Sequence, residues 1–139
     1  MAPTVEGNRA PRSELRLGLV LYGGVSLAVY MNGVVQELLH LVRASQKRDR
    51  QNSYGPLLDA AAMDVVIDVI AGTSAGGLNG LVLAKALATG SDAIQGMSQL
   101  WKTEAQIDKL VETDDPHAML SGEIMDLNLH RILAAMSAT

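Results

Sequence analysis

A β-branched, mostly apolar run, Val65-Val66-Ile67-Asp68-Val69-Ile70, leads straight into Gly72-Thr73-Ser74-Ala75-Gly76, and from Ala75 to Thr89 the residues are small or good helix formers. The run has the composition of a buried strand. Strand, sharp turn and helix must then follow one another, with Ser74 at the apex. In that setting Gly-x-Ser-x-Gly is the pattern of a nucleophile elbow. Backbone at such an apex is strained, and side chains two residues before or after the serine would strike strand or helix. Gly72 and Gly76 remove those collisions, while Thr73 and Ala75 keep the turn slim. The helix that follows would aim its first N–H groups and positive dipole end at an anion forming beside Ser74. The competing interpretation is an ordinary βα turn in which Ser74 caps the helix.

Other glycine-loop chemistries fit less well. No Gly-x-x-x-x-Gly-Lys-Ser/Thr occurs, and Gly72, Gly76, Gly77 and Gly80 are wrongly spaced for Gly-x-Gly-x-x-Gly. The formal net charge of −4 supplies no basic surface for nucleic acid. There is no cysteine, so disulfides and thiolate metal sites are excluded, and His40, His117 and His130 are too dispersed for a zinc spacing. No metal site is expected from these residues.

At 139 residues the chain has the size of one domain, and with 48% apolar residues it can bury a core. Phe is absent and aromatics make up 3%, so that core must be aliphatic. Residues 1–13 lack periodicity and are expected to be a disordered start, followed by one domain over 14–139. Leu17 to Gln36 carries no charge, but Gly18, Gly23, Gly24, Ser26, Asn32 and Gly33 interrupt it. It is therefore expected to be neither signal peptide nor membrane span, but a strand over Leu15–Leu21, a loop, and a helix over Leu27–Arg43. Residues 44–56 have the composition of a solvated polar loop, with Lys47, Arg48 and Arg50 as candidate contacts for anionic lipid heads. Beyond Gly90, Ile94, Met97, Leu100 and Trp101 share one helical face. Asp114-Asp115-Pro116 marks a turn, and Asn128–Ala138 a last short helix. Met97, Met119, Met125 and Met136 are assigned to packing.

Strand, helix, strand, helix implies a right-handed βαβα unit with a parallel sheet, whose ligands bind beyond the carboxyl ends of the strands. The Tyr22–Ser26 stretch and Ser74 both fall there. A serine that attacks a carbonyl needs donors for the oxyanion. Gly23-Gly24-Val25 supplies a turn where backbone N–H groups approach a substrate closely.

Gly23-Gly24, followed about fifty residues later by Asp68-Val69-Ile70-Ala71-Gly72-Thr73-Ser74-Ala75-Gly76-Gly77, resembles the patatin-like phospholipases. More narrowly, Leu19 to Gly33, the Leu100-Trp101 helix and Ile107 to Leu110 are similar to the large bacterial patatin-related proteins. The resemblance spans roughly residues 14–135. It implies an α/β fold, the N-terminal part of a three-layer α/β/α domain with a mainly parallel sheet. It further implies cofactor-free cleavage of lipid acyl esters by a Ser–Asp dyad, in the cytoplasm or at the membrane periphery. Ser74 would be the nucleophile and Gly23, Gly24 and Val25 the oxyanion loop. The substrate would be a lipid or another acyl ester. Tyr22, Ser26 and Leu27 stand where the plant patatin pattern has glycine, Arg or Lys, and glycine, so the loop lacks its usual cation. The family's base lies in a later Asp-Gly, which this chain does not contain, so the dyad's Asp is expected beyond residue 139 and the chain alone is expected to be inactive. The rival of another class is a non-catalytic lipid- or anion-binding module that kept the fold.

Overall fold

In a computed structural model the protein is described over residues 11–47, 52–104 and 122–137. Strand β1 (Ser13–Leu21) is followed by a 3-10 turn at Val25–Leu27 and helix α1 (Ala28–Lys47). The short helix α2 (Gly55–Ala60) leads into strand β2 (Met63–Gly72), then α3 (Ala75–Thr89), α4 (Ala93–Glu104) and α5 (Gly122–Ser137). The fold is thus α/β. The two strands pair in parallel from Ser13↔Met63 to Leu21↔Gly72, with α1 and α2 in the crossover between them.

The alternation of β1 sends Leu17, Leu19 and Leu21 toward the helices. Val65, Ile67 and Ile70 join them from β2, although an even spacing would demand residue 69. The register explains the break: Leu17 pairs with Ile67 but Gly18 pairs with Val69, leaving Asp68 as an extra, bulged residue. One inserted residue rephases the strand, so Ile70 and Gly72 face inward and Val69 is 61% exposed. A strand with a plain two-residue period would have put Ile70 in solvent.

Inside, α1 and α3 pack on the sheet, and α4 packs against both of those helices. Val35, Leu39, Val82, Leu83, Ile94, Met97 and Trp101 form the main cluster, while Val42, Leu58 and Val65 form a second beneath α2. The core is aliphatic apart from Trp101, as the absence of Phe requires. Leu83 is completely buried, so truncating it to Ala would cost about 2–5 kcal/mol in lost burial and cavity. α3 ends where Gly90 takes a left-handed conformation (φ 73°) and returns its N–H to Ala86 O.

Three boundaries differ from the sequence expectation. The polar loop expected over 44–56 begins later, because α1 continues to Lys47 with Ala44 and Ser45 buried. Ser45 Oγ accepts the N–H of Val65 at 2.7 Å, a tertiary bond that composition does not reveal. At the N-terminus, Arg12 and Ser13 belong to the fold rather than to an unstructured lead. Ser13 N–H bonds Ala62 O at 3.0 Å, and the Arg12 guanidinium reaches Asp59, Asp64 and the carbonyls of Leu58 and Met63. The last helix begins at Gly122, earlier than Asn128. Residues 1–10, Arg48, Arg50, Met119 and the Asp114-Asp115-Pro116 turn lie outside the described residues, as do the side chains of Lys47, Met125 and Met136.

Candidate active site at the carboxyl end of the sheet

β2 ends at Gly72, and Thr73 N–H extends the pairing by one bond to Leu21 O at 3.1 Å. The chain then reverses through Ser74, whose φ of 49° and ψ of −129° are sparsely populated for any residue with a side chain. Holding serine there costs about 1–3 kcal/mol, which the surrounding structure must supply. The reversal lets Thr73 O accept from both Gly76 N–H (2.9 Å) and Gly77 N–H (3.2 Å), and Ser74 O from Leu78 N–H (3.1 Å). Ser74 stands at the N-cap position of α3, is exposed, and makes no side-chain capping bond. Its hydroxyl is therefore not doing the work of an ordinary cap.

The tightness of this turn accounts for its glycines. A Cβ on Gly72 would lie 2.8 Å from the backbone of Gly76 and Gly77, and one on Gly76 would fall onto Leu21 O. Both approaches involve backbone, which cannot rotate away.

The loop after β1 comes in from the other side. A Cβ on Gly23 would meet Ser74 Cβ at 2.8 Å and Thr73 O at 2.9 Å, so the two glycine turns are in direct contact. Gly23 N–H donates to Thr73 Oγ1 at 3.0 Å, a link the sequence did not suggest. Gly24 follows with φ +146°, and its carbonyl accepts Leu27 N–H at 3.2 Å to close the 3-10 turn containing Val25. Gly23, Gly24, Val25, Gly72, Thr73, Ser74, Ala75 and Gly76 thus converge at one end of the sheet. Among the described residues, the N–H groups of Gly24 and Ala75 have no hydrogen-bond partner. The Ala75 donor is visible only once the geometry of the first helical turn is known.

No charged residue occurs in the Gly23–Val25 or Gly72–Gly76 segments themselves. Asp68, the nearest carboxylate upstream of Ser74, is held by Arg16 through two bonds of 2.8 and 2.7 Å. The hydrogen bond from Arg16 is the main cause that keeps the Asp68 carboxyl below the usual carboxylate range, with their charge attraction adding to it against some desolvation. An acid so stabilised as its anion is a poor proton acceptor. His40 sits in α1 with Glu37 at 3.9 Å, and His130 pairs with Asp126 on α5. Among the described residues no cluster of His, Asp or Glu could hold a metal ion, and no helix is long and apolar enough to cross a membrane.

Comparison with known proteins adds a family to this geometry. The family model of patatin-like phospholipases matches residues 19–134. A Mycobacterium tuberculosis protein described as uncharacterized membrane protein Rv3479 is 38% identical over 105 residues, covering 63% of this chain and 10% of the relative. The chain thus spans about a tenth of the length of that curated relative. No solved structure gives a significant match.

Proposed function

The chain belongs to the patatin-like phospholipase family, and from that premise we propose that it carries the nucleophile and oxyanion loop of a serine-dependent lipid acyl hydrolase. The observation that carries this reading is Ser74. It is a serine forced into a positive-φ apex, exposed, and unused as a helix cap. Ser74 Oγ attacks the ester carbonyl, and the carbonyl oxygen, as it gains charge, enters the loop Gly23–Val25. With Gly23 N–H engaged by Thr73, the amides of Gly24 and Val25 are the donors of that loop, and Ala75 N–H at the start of α3 adds a third. Gly23 itself lets the loop approach Ser74.

The serine also needs a base within hydrogen-bond reach. Asp68 is committed to Arg16, and neither His40 nor Asp126 lies on the elbow or the glycine loop. The resemblance to the family implies instead an aspartate from an Asp-Gly that this sequence does not contain, completing a Ser–Asp dyad, and on that reading the 139-residue chain alone does not turn over. Tyr22 and Leu27, 76% and 48% exposed, flank the glycine loop with apolar surface, which favours a lipid ester and contact with the lipid surface that presents it.

The test is fluorophosphonate labelling of the full-length protein. Covalent capture at Ser74, abolished by Ser74→Ala, is the expected result. Absence of labelling in a folded, lipid-binding protein would instead assign a binding module without chemistry. A parallel assay of the 139-residue chain on a short-chain nitrophenyl ester should give the same background as its Ser74→Ala variant. Turnover above that variant would locate a base within these residues.

A further inference from the structure

Asn79 is completely buried on α3, five residues after Ser74, and uses its full hydrogen-bonding capacity. Its Nδ2 donates to Ala75 O at 3.0 Å and to Ala28 O at 3.3 Å. Its Oδ1 accepts from Asn32 Nδ2 and from Trp101 Nε1, both at 3.1 Å. The orientation of the amide is not open to choice. An indole N–H only donates, and two carbonyls only accept, so oxygen must face Trp101 and nitrogen must face Ala28 and Ala75. Asn32 is itself buried and is held by Gln36 and Ser98.

The two carbonyls give this arrangement a meaning beyond packing. Ala75 is the residue after Ser74. Ala28 opens α1, at the exit of the Gly23–Leu27 turn. One amide group therefore bridges the segment leaving the nucleophile turn and the segment leaving the glycine loop. At the surface the two turns are linked by Gly23 N–H donating to Thr73 Oγ1; Asn79 adds a second, buried link between the segments that leave them, and hydrogen bonds are more directional than apolar contact.

We propose that Asn79 is a positioning residue, whose side-chain amide sets the spacing between the glycine loop and Ser74 from inside the core. This rests on the reading of Ser74 as nucleophile and deepens it. Asn79 touches neither substrate nor reacting atoms. Trp101 and Asn32 hold the oxygen side of Asn79, while the nitrogen side transmits position to the two turns.

The experiment compares Asn79→Ala, Asn79→Ser, Trp101→Phe and Ser74→Ala in the full-length protein, with ester turnover expressed per active site titrated by a fluorophosphonate burst. Misplacing a catalytic group by about an ångström costs on the order of a hundredfold. The expected result for Asn79→Ala is therefore a kcat per site lower by about ten- to a hundredfold, with KM changed by less than about twofold. Asn79→Ser, which restores one donor, should recover part of kcat. Trp101→Phe keeps both carbonyl bonds, so it should lower the melting temperature yet leave kcat per site within about threefold. The proposal is overturned if folded Asn79 variants keep the wild-type kcat per site, or if Trp101→Phe lowers kcat as much as Asn79→Ala. Failure of both Asn79 variants to give titratable protein assigns the residue to folding alone and overturns it too. Activity surviving in Ser74→Ala would refute the nucleophile reading itself, a distinct outcome.

Discussion

The two ends of the β1–β2 sheet are built from opposite materials. At the amino end, side chains bridge the segments: Arg12 joins Asp59 and Asp64, and Arg16 joins Asp68 across the strands. At the carboxyl end, backbone meets backbone across Gly23, Gly72 and Gly76, where a single methyl would collide. Long flexible side chains can adjust to a displaced partner; apposed peptide groups cannot. The arginine end is therefore expected to set stability and the glycine end to set geometry. Substitutions at the two ends should separate these properties.

Ser74→Ala should show the separation most strongly. Loss of the nucleophile costs roughly a millionfold in turnover, while removing an exposed hydroxyl that caps nothing should leave the melting temperature close to wild type. Turnover of an ester by the full-length variant at even a tenth of the normal rate would break the assignment.

Gly24→Ala comes next. An added Cβ meets Leu27 at 3.7 Å, an ordinary contact, so space is not the obstacle. The obstacle is φ +146°, which alanine avoids by rerouting the loop and turning its amides. Turnover of the full-length protein should fall by about a hundred- to thousandfold, the usual loss for one oxyanion donor, with circular dichroism unchanged. A kcat equal to wild type would move the oxyanion donors elsewhere.

At the other end, Arg12→Ala should reverse the pattern. Its guanidinium is largely buried and bonds two carboxylates and two carbonyls. Losing charge-assisted bonds of this kind costs about 2 kcal/mol, and kcat of the full-length protein should stay within about twofold. Chemical denaturation of the purified chain reads the first, an ester assay the second. A large drop in kcat would show that the two ends are not separable.

Arg16→Gln is the smallest effect and sharpens the contrast through pH. Asp68 is held as its anion in the fold, so its contribution to stability is present above the ordinary carboxylate range. That contribution is lost as pH falls through the depressed folded value. The gap in melting temperature between wild type and Arg16→Gln should therefore be open at neutral pH and close in acid. A gap that is constant across that range would remove the ion pair as its cause. Because both groups are exposed, the gap should also shrink in salt.

The elbow was legible in the sequence because its signals are local. The β-branched strand, the glycine spacing and the helix formers after Ser74 are all neighbours, and α3 runs from Ala75 to Thr89 as that composition indicates. The glycine loop after β1 was legible for the same reason. What escaped was carried by long-range partners. Residues 44–47 look like a charged loop until Val65 is found donating to Ser45. Arg12 looks like part of a shapeless start until Asp59 and Asp64 are found beside it. The Asp68 bulge hides because a run of β-branched residues reads as a strand on either face. Asn79 hides because a polar residue in an alanine- and leucine-rich helix has no visible partner until α1 and α4 are folded against it.

The pairing of Ser13 with Met63 has a consequence in time. Parallel strands cannot zip from a hairpin; β1 must wait for a partner that is fifty residues younger. At about 5–20 residues per second of synthesis, the wait is roughly three to ten seconds. During it, Leu17, Leu19 and Leu21 have no sheet to join, and the apolar side of α1 has neither β2 nor α3 to cover it. A newly made chain therefore passes through an interval when it is open to a chaperone or to a neighbouring chain. The serine turn, which is held in its strained form by contacts with Leu21 and Gly23, cannot take shape before that pairing is made.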